Sequence, residues 1–439
     1  MGFNPLAERG LALDKQFRNW AETNVMPYDK NVVHPYTRTR IILMNGAEVE
    51  AAFFGHQFAR HCGDLLTKQK LAAVRRVEQQ QQKQVNGLIP GEESILEVTI
   101  GYEQVAVDLT AALAKTESDA YVKAALNFGL LEDFDHLYRY ANLIMTLDSE
   151  RAERITRDLT EITPGRPTIL EHRYPFDDVR KPYDSASADI LTKLHVMTIT
   201  AAEQQTMNYY MNVANRFTTE TARGLYQEIG TIEEQHVTHY ESLADPKASW
   251  LEMLVMHEYN ECYLYYSCMM SEVDDRIRRI WEQNLACEIE HLKMACDLMR
   301  LHENRDPESF LPAELPTLTI FEDCKSYVRQ VLASQVDLTA VQEPPSEETP
   351  GLIEGVVEGL REMVGAQAER KADTEFVPAS RLDASSRYRR YQQAVNSGPY
   401  VPSQRVIEES IARHGEDYRR ELLGPHPVDR LRSRDKVAV

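Results

Sequence analysis

Carboxylates and histidines recur along this chain with one fixed spacing, and the pattern occurs three times. In each set a glutamate is followed thirty residues later by an aspartate or glutamate, and three residues after that by a histidine. The sets are Glu103, Asp133 and His136; Glu203, Glu233 and His236; and Glu258, Glu288 and His291. A helix rises about 1.5 Å per residue, so a helix, a short turn and a returning helix bring the chain back to its starting level within that distance. Each set therefore predicts a helical hairpin.

The side chains of each set are expected to converge between the two helices of the hairpin. Residues at positions i and i+3 share a helix face, so the second carboxylate and the histidine point the same way. Two glutamates plus two Glu-x-x-His pairs are the ligands with which a four-helix bundle holds two adjacent iron or manganese ions. Carboxylates can bridge two cations, and imidazole supplies a neutral nitrogen ligand. The spacing therefore predicts a di-metal site in an all-α protein.

The repeats lie inside a longer helical region. Residues 1–45, which contain prolines and no clear period, are predicted to form an N-terminal arm. Residues 46–335 are predicted to form one helical domain, in which residues 92–243 are the core bundle and residues 248–303 an additional helix pair. Beyond a Pro- and Glu-rich linker, residues 341–439 are predicted to form a C-terminal extension, either partly disordered or docked on the helical domain.

Two details of the helical region concern its breaks. Residues 47–85 are rich in helix formers, contain no proline and are interpreted as one long helical stretch. That stretch ends at residues 86–94, where Gly, Pro and capping residues occur together. A second break, rich in Pro, Asp and Arg, separates His136 from Asp189 and is typical of a long connection between helices rather than a tight turn.

Composition excludes several functional classes. The formal net charge of −20 disfavours binding to nucleic acid, because a polyanion would be repelled. No apolar run reaches membrane length and the N-terminus lacks the features of a signal peptide, so we predict a cytoplasmic protein without a membrane partner. The six cysteines include no Cys-x-x-Cys pair and are predicted to be buried thiols.

The chain resembles the ferritin-like superfamily of di-metal carboxylate proteins, and within it the rubrerythrin-like branch. The resemblance covers about residues 92–243 and is carried by Glu103, by Asp133 and His136, by Glu203, and by Glu233 and His236. It implies a ferritin-like four-helix bundle with additional helices and a long C-terminal extension. It also implies a homo-oligomer and two bound iron ions, or a mixed iron–manganese pair. A long crossover joins the two helix pairs in that superfamily, and the break before Asp189 would supply it.

The sequence departs from the family pattern at several points. The first pair is Asp-x-x-His, and Glu132 lies on the same face and is an alternative to Asp133. The second and third sets could instead form a site together, with the third set otherwise lining a second site, contributing a ligand or serving only packing. Rubredoxin-like cysteine ligands are missing, so the electron donor is an unidentified partner. Among the other histidines, His239 lies one turn after His236 and is predicted to be exposed, with the orientation of a ligand as the alternative.

Two functional hypotheses follow. The first is a non-haem di-iron or iron–manganese oxidoreductase that reacts with O₂ or hydrogen peroxide as a peroxidase, ferroxidase or oxygenase. The second is a ferritin-like scaffold or interaction protein with little catalysis, whose C-terminal tail recruits a protein partner. Metal content and colour would distinguish these hypotheses.

Overall fold

A computed structural model describes residues 2–162 and 179–340, and these residues form helices with no strand. The all-α prediction is therefore confirmed for the described part of the chain. The helices are α1 (Trp20–Thr23), α2 (Pro35–His61), α3 (Leu65–Asn86), α4 (Ile95–Thr116), α5 (Ala120–Asp148), α6 (Ala152–Thr156), α7 (Ile190–Val213), α8 (Glu220–Glu241), α9 (Trp250–Ser271), α10 (Asp275–Glu303) and α11 (Lys325–Ala340). Single turns of 3-10 helix occur at Leu13–Lys15, Ala214–Arg216 and Pro307–Ser309. No described helix is both long and apolar enough to cross a membrane.

Four helical hairpins account for most of the described chain, because α2 packs on α3, α4 on α5, α7 on α8 and α9 on α10. Aspartates start three of the returning helices. Asp64, Asp119 and Asp274 each accept a hydrogen bond from backbone N–H groups in the first turn of α3, α5 and α10. Such a cap contributes about 1 kcal/mol and sets where the helix begins, which fixes the level of the residues that follow.

The four hairpins form two four-helix groups. The first group consists of α4, α5, α7 and α8, and the second consists of α2, α3, α9 and α10. Helix α2 also packs on α4 and α7, so it joins the groups. Small residues allow this close approach: a Cβ at Gly101 would lie 2.9 Å from Cδ1 of Ile42, and one at Gly46 would lie 2.9 Å from Nε2 of Gln205.

A chain of amide side chains also crosses from one four-helix group to the other. Gln82 on α3 donates from Nε2 to Oδ1 of Asn45 on α2 at 2.8 Å. Asn45 in turn donates to Oε1 of Gln205 on α7. Nε2 of Gln205 then donates to the carbonyl of Ile42 at 2.8 Å. Because buried amides are costly to leave unpaired, this chain fixes the register of α2 against α7.

The N-terminal part of the helical region differs from the sequence prediction. Helix α2 begins at Pro35, within the stretch assigned to the arm, and the predicted single helix over 47–85 is two helices separated at residues 62–64. All residues from 35 to 48 are buried, so α2 has no polar face there and its sequence shows no amphipathic period. The break at 62–64 needs no proline, because Asp64 caps the next helix.

Two other predictions fall partly or wholly outside the described residues. The central part of the break before Asp189, residues 163–178, is one of them. The C-terminal extension, residues 341–439, is the other, and with it the hypothesis of a tail that recruits a partner.

A buried ion pair ties the start of α2 to the turn between α9 and α10. Nε of Arg40 lies 2.9 Å from Oε2 of Glu272, and both side chains are at most 3% exposed. Glu272 also accepts hydrogen bonds from the Thr37 hydroxyl at 2.6 Å and from the Trp281 indole at 3.2 Å. Burial raises the pKa of Glu272, but the hydrogen bonds and charge of Arg40 outweigh that effect and leave the pKa below its ordinary value of 4.5.

Replacing this carboxylate should destabilise the protein. Glu272→Gln leaves the Arg40 guanidinium buried without a counter-charge and is expected to lower the free energy of unfolding by about 3 kcal/mol, measured by urea denaturation. The control is Asp275→Asn, because the Asp275 side chain is 78% exposed and its pair with Arg278 should contribute less than about 1 kcal/mol.

The same ion pair also predicts a pH dependence. A carboxyl whose folded pKa is depressed stabilises the protein above its unfolded pKa, and this stability is lost as the pH falls below about 4.5. Wild type should therefore lose stability on acidification faster than Glu272→Gln. Equal pH dependence in the two proteins would show that this pair does not contribute to acid sensitivity.

Candidate metal centre

The first two sets of the sequence pattern meet inside the first four-helix group. Helices α4 and α5 carry one set and helices α7 and α8 carry the other. Every member is at most 1% exposed. This cluster, called cluster one, consists of Glu103, Asp133, His136, Glu203, Glu233 and His236. The predicted convergence of acids and imidazoles from two hairpins is therefore what the described residues show.

Glu233 lies at the middle of cluster one, between the two imidazoles. Its Oε1 is 3.0 Å from Nδ1 of His136, and its Oε2 is 3.3 Å from Nδ1 of His236. Nδ1 of His236 also lies 3.5 Å from Oδ1 of Asp133 and 3.6 Å from Oε2 of Glu203. One imidazole nitrogen thus faces three carboxylates, while a single carboxylate faces both rings.

The ligand atoms of cluster one fall into two groups that overlap. Atoms from Asp133, Glu203, Glu233 and His236 all lie within 4.8 Å of one another, and so do atoms from Glu103, His136 and Glu233. Glu233 belongs to both groups. Because a carboxylate has two oxygens, Glu233 can contribute a ligand atom to each group.

Two further residues orient the members of cluster one. Oε2 of Glu132 lies 2.8 Å from Nε2 of His236, on the side of the ring opposite Asp133. Of the two alternatives in the sequence, Asp133 thus lies in the cluster, while Glu132 holds the histidine ring. The Tyr210 hydroxyl donates a hydrogen bond to Oε1 of Glu103. A tyrosine at helical spacing usually packs in a core, so the sequence alone does not indicate this role for Tyr210.

Several buried oxygens of cluster one have no hydrogen-bond partner among the described residues. They are both carboxylate oxygens of Glu203, Oδ1 of Asp133, Oε2 of Glu103 and Oε2 of Glu233. A buried acceptor without a partner costs about 1–3 kcal/mol, and more when it is charged. Burial and the neighbouring carboxylates also raise the pKa values of Glu103, Asp133 and Glu233 well above their usual range. The chemistry of these donors therefore fits bound cations.

The third set lies in the second four-helix group and does not join the second set. Glu258, Glu288 and His291 on α9 and α10 face α2 and α3 instead. There they meet two acids from the region that the sequence analysis interpreted as one helix. This second cluster, called cluster two, consists of Glu48, Glu78, Gln81, Glu258, Glu261, Glu288 and His291. The alternative in which the second and third sets share one site is wrong for the described residues.

The acids missed by the sequence analysis follow the same spacing as the others. Glu78 comes thirty residues after Glu48, and Gln81 follows three residues later where the other sets have histidine. The thirty-residue spacing is therefore present in this hairpin, but a pattern that requires histidine at the third position does not include it. The interpretation of residues 47–85 as a single helix also placed Glu48 and Glu78 far apart.

One histidine outside the three sets was also misjudged. His239, predicted to be exposed, is fully buried. Its Nδ1 accepts a hydrogen bond from Nε of Arg180 at 3.1 Å, and its Nε2 donates to the carbonyl of Ala125 at 3.2 Å. His239 therefore braces the end of α8 against α5, one turn beyond His236.

Comparisons of the chain with models of protein families, with curated proteins and with solved structures found no match. The class of protein must therefore be argued from the site itself.

Removing one carboxylate from metal-free cluster one should stabilise the fold. Because the folded pKa of Glu103 is raised, ionising it at pH 7 costs folding free energy. We expect Glu103→Gln, after chelation of metals, to unfold with a free energy about 1 kcal/mol or more above that of the metal-free wild type. The difference should narrow as the pH falls through 4.5, because the unfolded carboxyl then also becomes protonated.

The matched control for this prediction is Glu234→Gln. Glu234 is exposed on α8 beside Glu233, so its replacement should change stability by less than about 0.5 kcal/mol. If metal-free Glu103→Gln is no more stable than metal-free wild type, Glu103 is not repelled by the neighbouring carboxylates of cluster one.

Proposed function

We propose that the protein is a non-haem di-metal oxidoreductase of the ferritin-like class that reacts with O₂ or hydrogen peroxide. The metals are two iron ions, or one iron and one manganese, held by cluster one. The observation that carries the proposal is the position of Glu233, which belongs to two overlapping groups of buried acid and imidazole ligands.

The ligands divide between two cation positions. Glu103 and His136 would bind one ion, and Asp133, Glu203 and His236 would bind the other. Glu233 would bind both ions and hold them next to each other. Four carboxylates carry as much negative charge as two divalent ions carry positive charge, which makes burial of the whole set favourable.

The bound ions would supply the electrons that reduce O₂ or peroxide. Residues of this chain prepare the site for that chemistry. The Tyr210 O–H holds a proton against Oε1 of Glu103, and Glu132 keeps the His236 ring turned toward the carboxylates. Tyr140 and Tyr226, both fully buried, pack against Tyr210 and exclude water from this side of the cluster.

Electrons must reach cluster one from a separate donor. The cysteines of the described residues are free thiols, and burial raises the pKa values of Cys262 and Cys268. Protonated buried thiols are poor metal ligands. The reductant is therefore proposed to be a partner molecule.

Peroxide consumption by the iron-loaded full chain tests the proposal. Glu203→Gln replaces one carboxylate of cluster one with an amide of nearly the same shape, so it changes the donor without changing its size. We expect it to lower the rate of peroxide consumption by about 100-fold or more, because even residues that only orient a ligand contribute about 10–100-fold. The iron-loaded wild type should also show a ligand-to-metal absorption band that bleaches on reduction.

Glu234→Gln serves as the matched control, since it removes an exposed carboxylate from α8 without touching the cluster. Its rate and absorption band should equal those of the wild type. Wild-type protein that binds iron but neither develops the band nor consumes O₂ or peroxide would overturn the proposal.

A further inference from the structure

Cluster two repeats the plan of cluster one in the other four-helix group. Each group is made of two hairpins, and each hairpin supplies residues at the same thirty-plus-three spacing. The likeness extends to a tyrosine seven residues after a cluster glutamate. Tyr210 follows Glu203 and bonds to Glu103, and Tyr265 follows Glu258 and donates to Oε1 of Glu48.

The ligand atoms of cluster two also form two groups. Atoms from Glu78, Glu258 and His291 lie within 4.8 Å of one another, and so do atoms from Glu48, Glu261 and Glu288. All four helices of the second group contribute. The arrangement therefore offers two cation positions, as in cluster one.

Unpartnered oxygens point to a ligand at cluster two. Oε2 of Glu258 and Oε2 of Glu48 have no hydrogen-bond partner among the described residues, and the Glu261 carboxyl meets another carboxyl, that of Glu288. Each of these side chains is at most 1% exposed. The nearest histidine nitrogens, on His257 and His291, are 3.7 Å from Glu261 and 3.8 Å from Glu258, which is too far for a hydrogen bond.

The orientation of His291 presents a ring nitrogen to the carboxylates of cluster two. Nε2 of Gln16 donates to the carbonyls of Leu11 and Cys287, which fixes the direction of its amide. Oε1 of Gln16 then accepts a hydrogen bond from Nε2 of His291 at 2.7 Å. In the neutral ring this leaves a lone pair on Nδ1, which lies 2.9 Å from Oε2 of Glu288. A lone pair and a carboxylate repel at that distance unless a proton or a metal ion accompanies them.

The donor set of cluster two is richer in oxygen than that of cluster one. It has five carboxylates and one imidazole, and Gln81 occupies the position that corresponds to His136. Nε2 of Gln81 donates to Oε1 of Glu288, and its own Oε1 has no partner among the described residues. Carboxylate and amide oxygens favour harder cations, whereas imidazole favours iron, cobalt and zinc.

We propose that cluster two is a second divalent-cation site, separate from cluster one and selective for a hard cation such as Mn²⁺. It is assembled from α2, α3, α9 and α10, with His291 held in place by Gln16 of the N-terminal segment. This inference does not depend on the function proposed for cluster one.

Titration of the metal-free full chain with Mn²⁺ alone tests the inference, with free Mn²⁺ measured by electron paramagnetic resonance. The double variant Glu48→Gln/Glu261→Gln should bind about one fewer Mn²⁺ ion than the wild type, because both residues belong to the same ligand group. Glu103→Gln/Glu203→Gln should lose binding only at cluster one and keep the ions of cluster two.

The matched control is Glu282→Gln, which removes an exposed carboxylate from α10 and should bind as many ions as the wild type. Unchanged Mn²⁺ binding by Glu48→Gln/Glu261→Gln would overturn the inference. Cluster two would then be an internal ion pair between protonated His291 and Glu288.

Gln81→His provides a gain-of-function test that does not require loss of a ligand. It should place a second imidazole in cluster two, as in cluster one, and raise the affinity for Co²⁺ relative to Mn²⁺ by about tenfold. Circular dichroism would show that the variant is folded. An unchanged preference between Co²⁺ and Mn²⁺ would contradict the assigned role of residue 81 and with it the proposed selectivity.

Discussion

Charge held inside a dry interior is the constraint on which the rest of this structure depends. A four-helix interior normally excludes carboxylates, because an uncompensated buried charge costs several kcal/mol. Here the carboxylates of clusters one and two lie at the centres of both four-helix groups and are at most 2% exposed. The capping aspartates, the braced histidines and the tyrosine hydroxyls all serve to hold these acids at matching levels. A fold with this many buried carboxylates is stable only if cations or protons offset their negative charge. The burial of these carboxylates therefore supports metal binding independently of the sequence motif.

The two clusters differ in ways that packing does not require. Cluster one has two imidazoles and an acidic residue, Glu132, behind one of them, whereas cluster two has one imidazole backed by the neutral Gln16. A carboxylate behind a histidine makes the ring a stronger donor than an amide does. The duplicated framework therefore carries two different electrostatic environments, as expected if the two sites hold different ions or do different work.

Helical spacing was enough to predict the hairpins and the convergence of cluster one. The interval from Glu103 to Asp133 is set by helix rise and turn length, which are local properties that can be inferred from the sequence. The sequence predicted only the α9 and α10 residues of cluster two. Gln81 departs from the motif, and α2 is buried on all sides near Glu48 and therefore lacks an amphipathic period. The choice between Asp133 and Glu132 depends on helix rotation by a single residue. Tertiary packing decides such a rotation, and it also decides whether His239 is buried.

The amide chain from Gln82 through Asn45 to Gln205 has a consequence for how the halves of the molecule behave together. Gln82 adjoins Gln81 of cluster two, and Gln205 lies two residues after Glu203 of cluster one. The two four-helix groups thus share α2, and side-chain hydrogen bonds join α2 to α3 on one side and to α7 on the other. If cations bind at both clusters, a displacement of α2 at one cluster would be transmitted through these hydrogen bonds to the other.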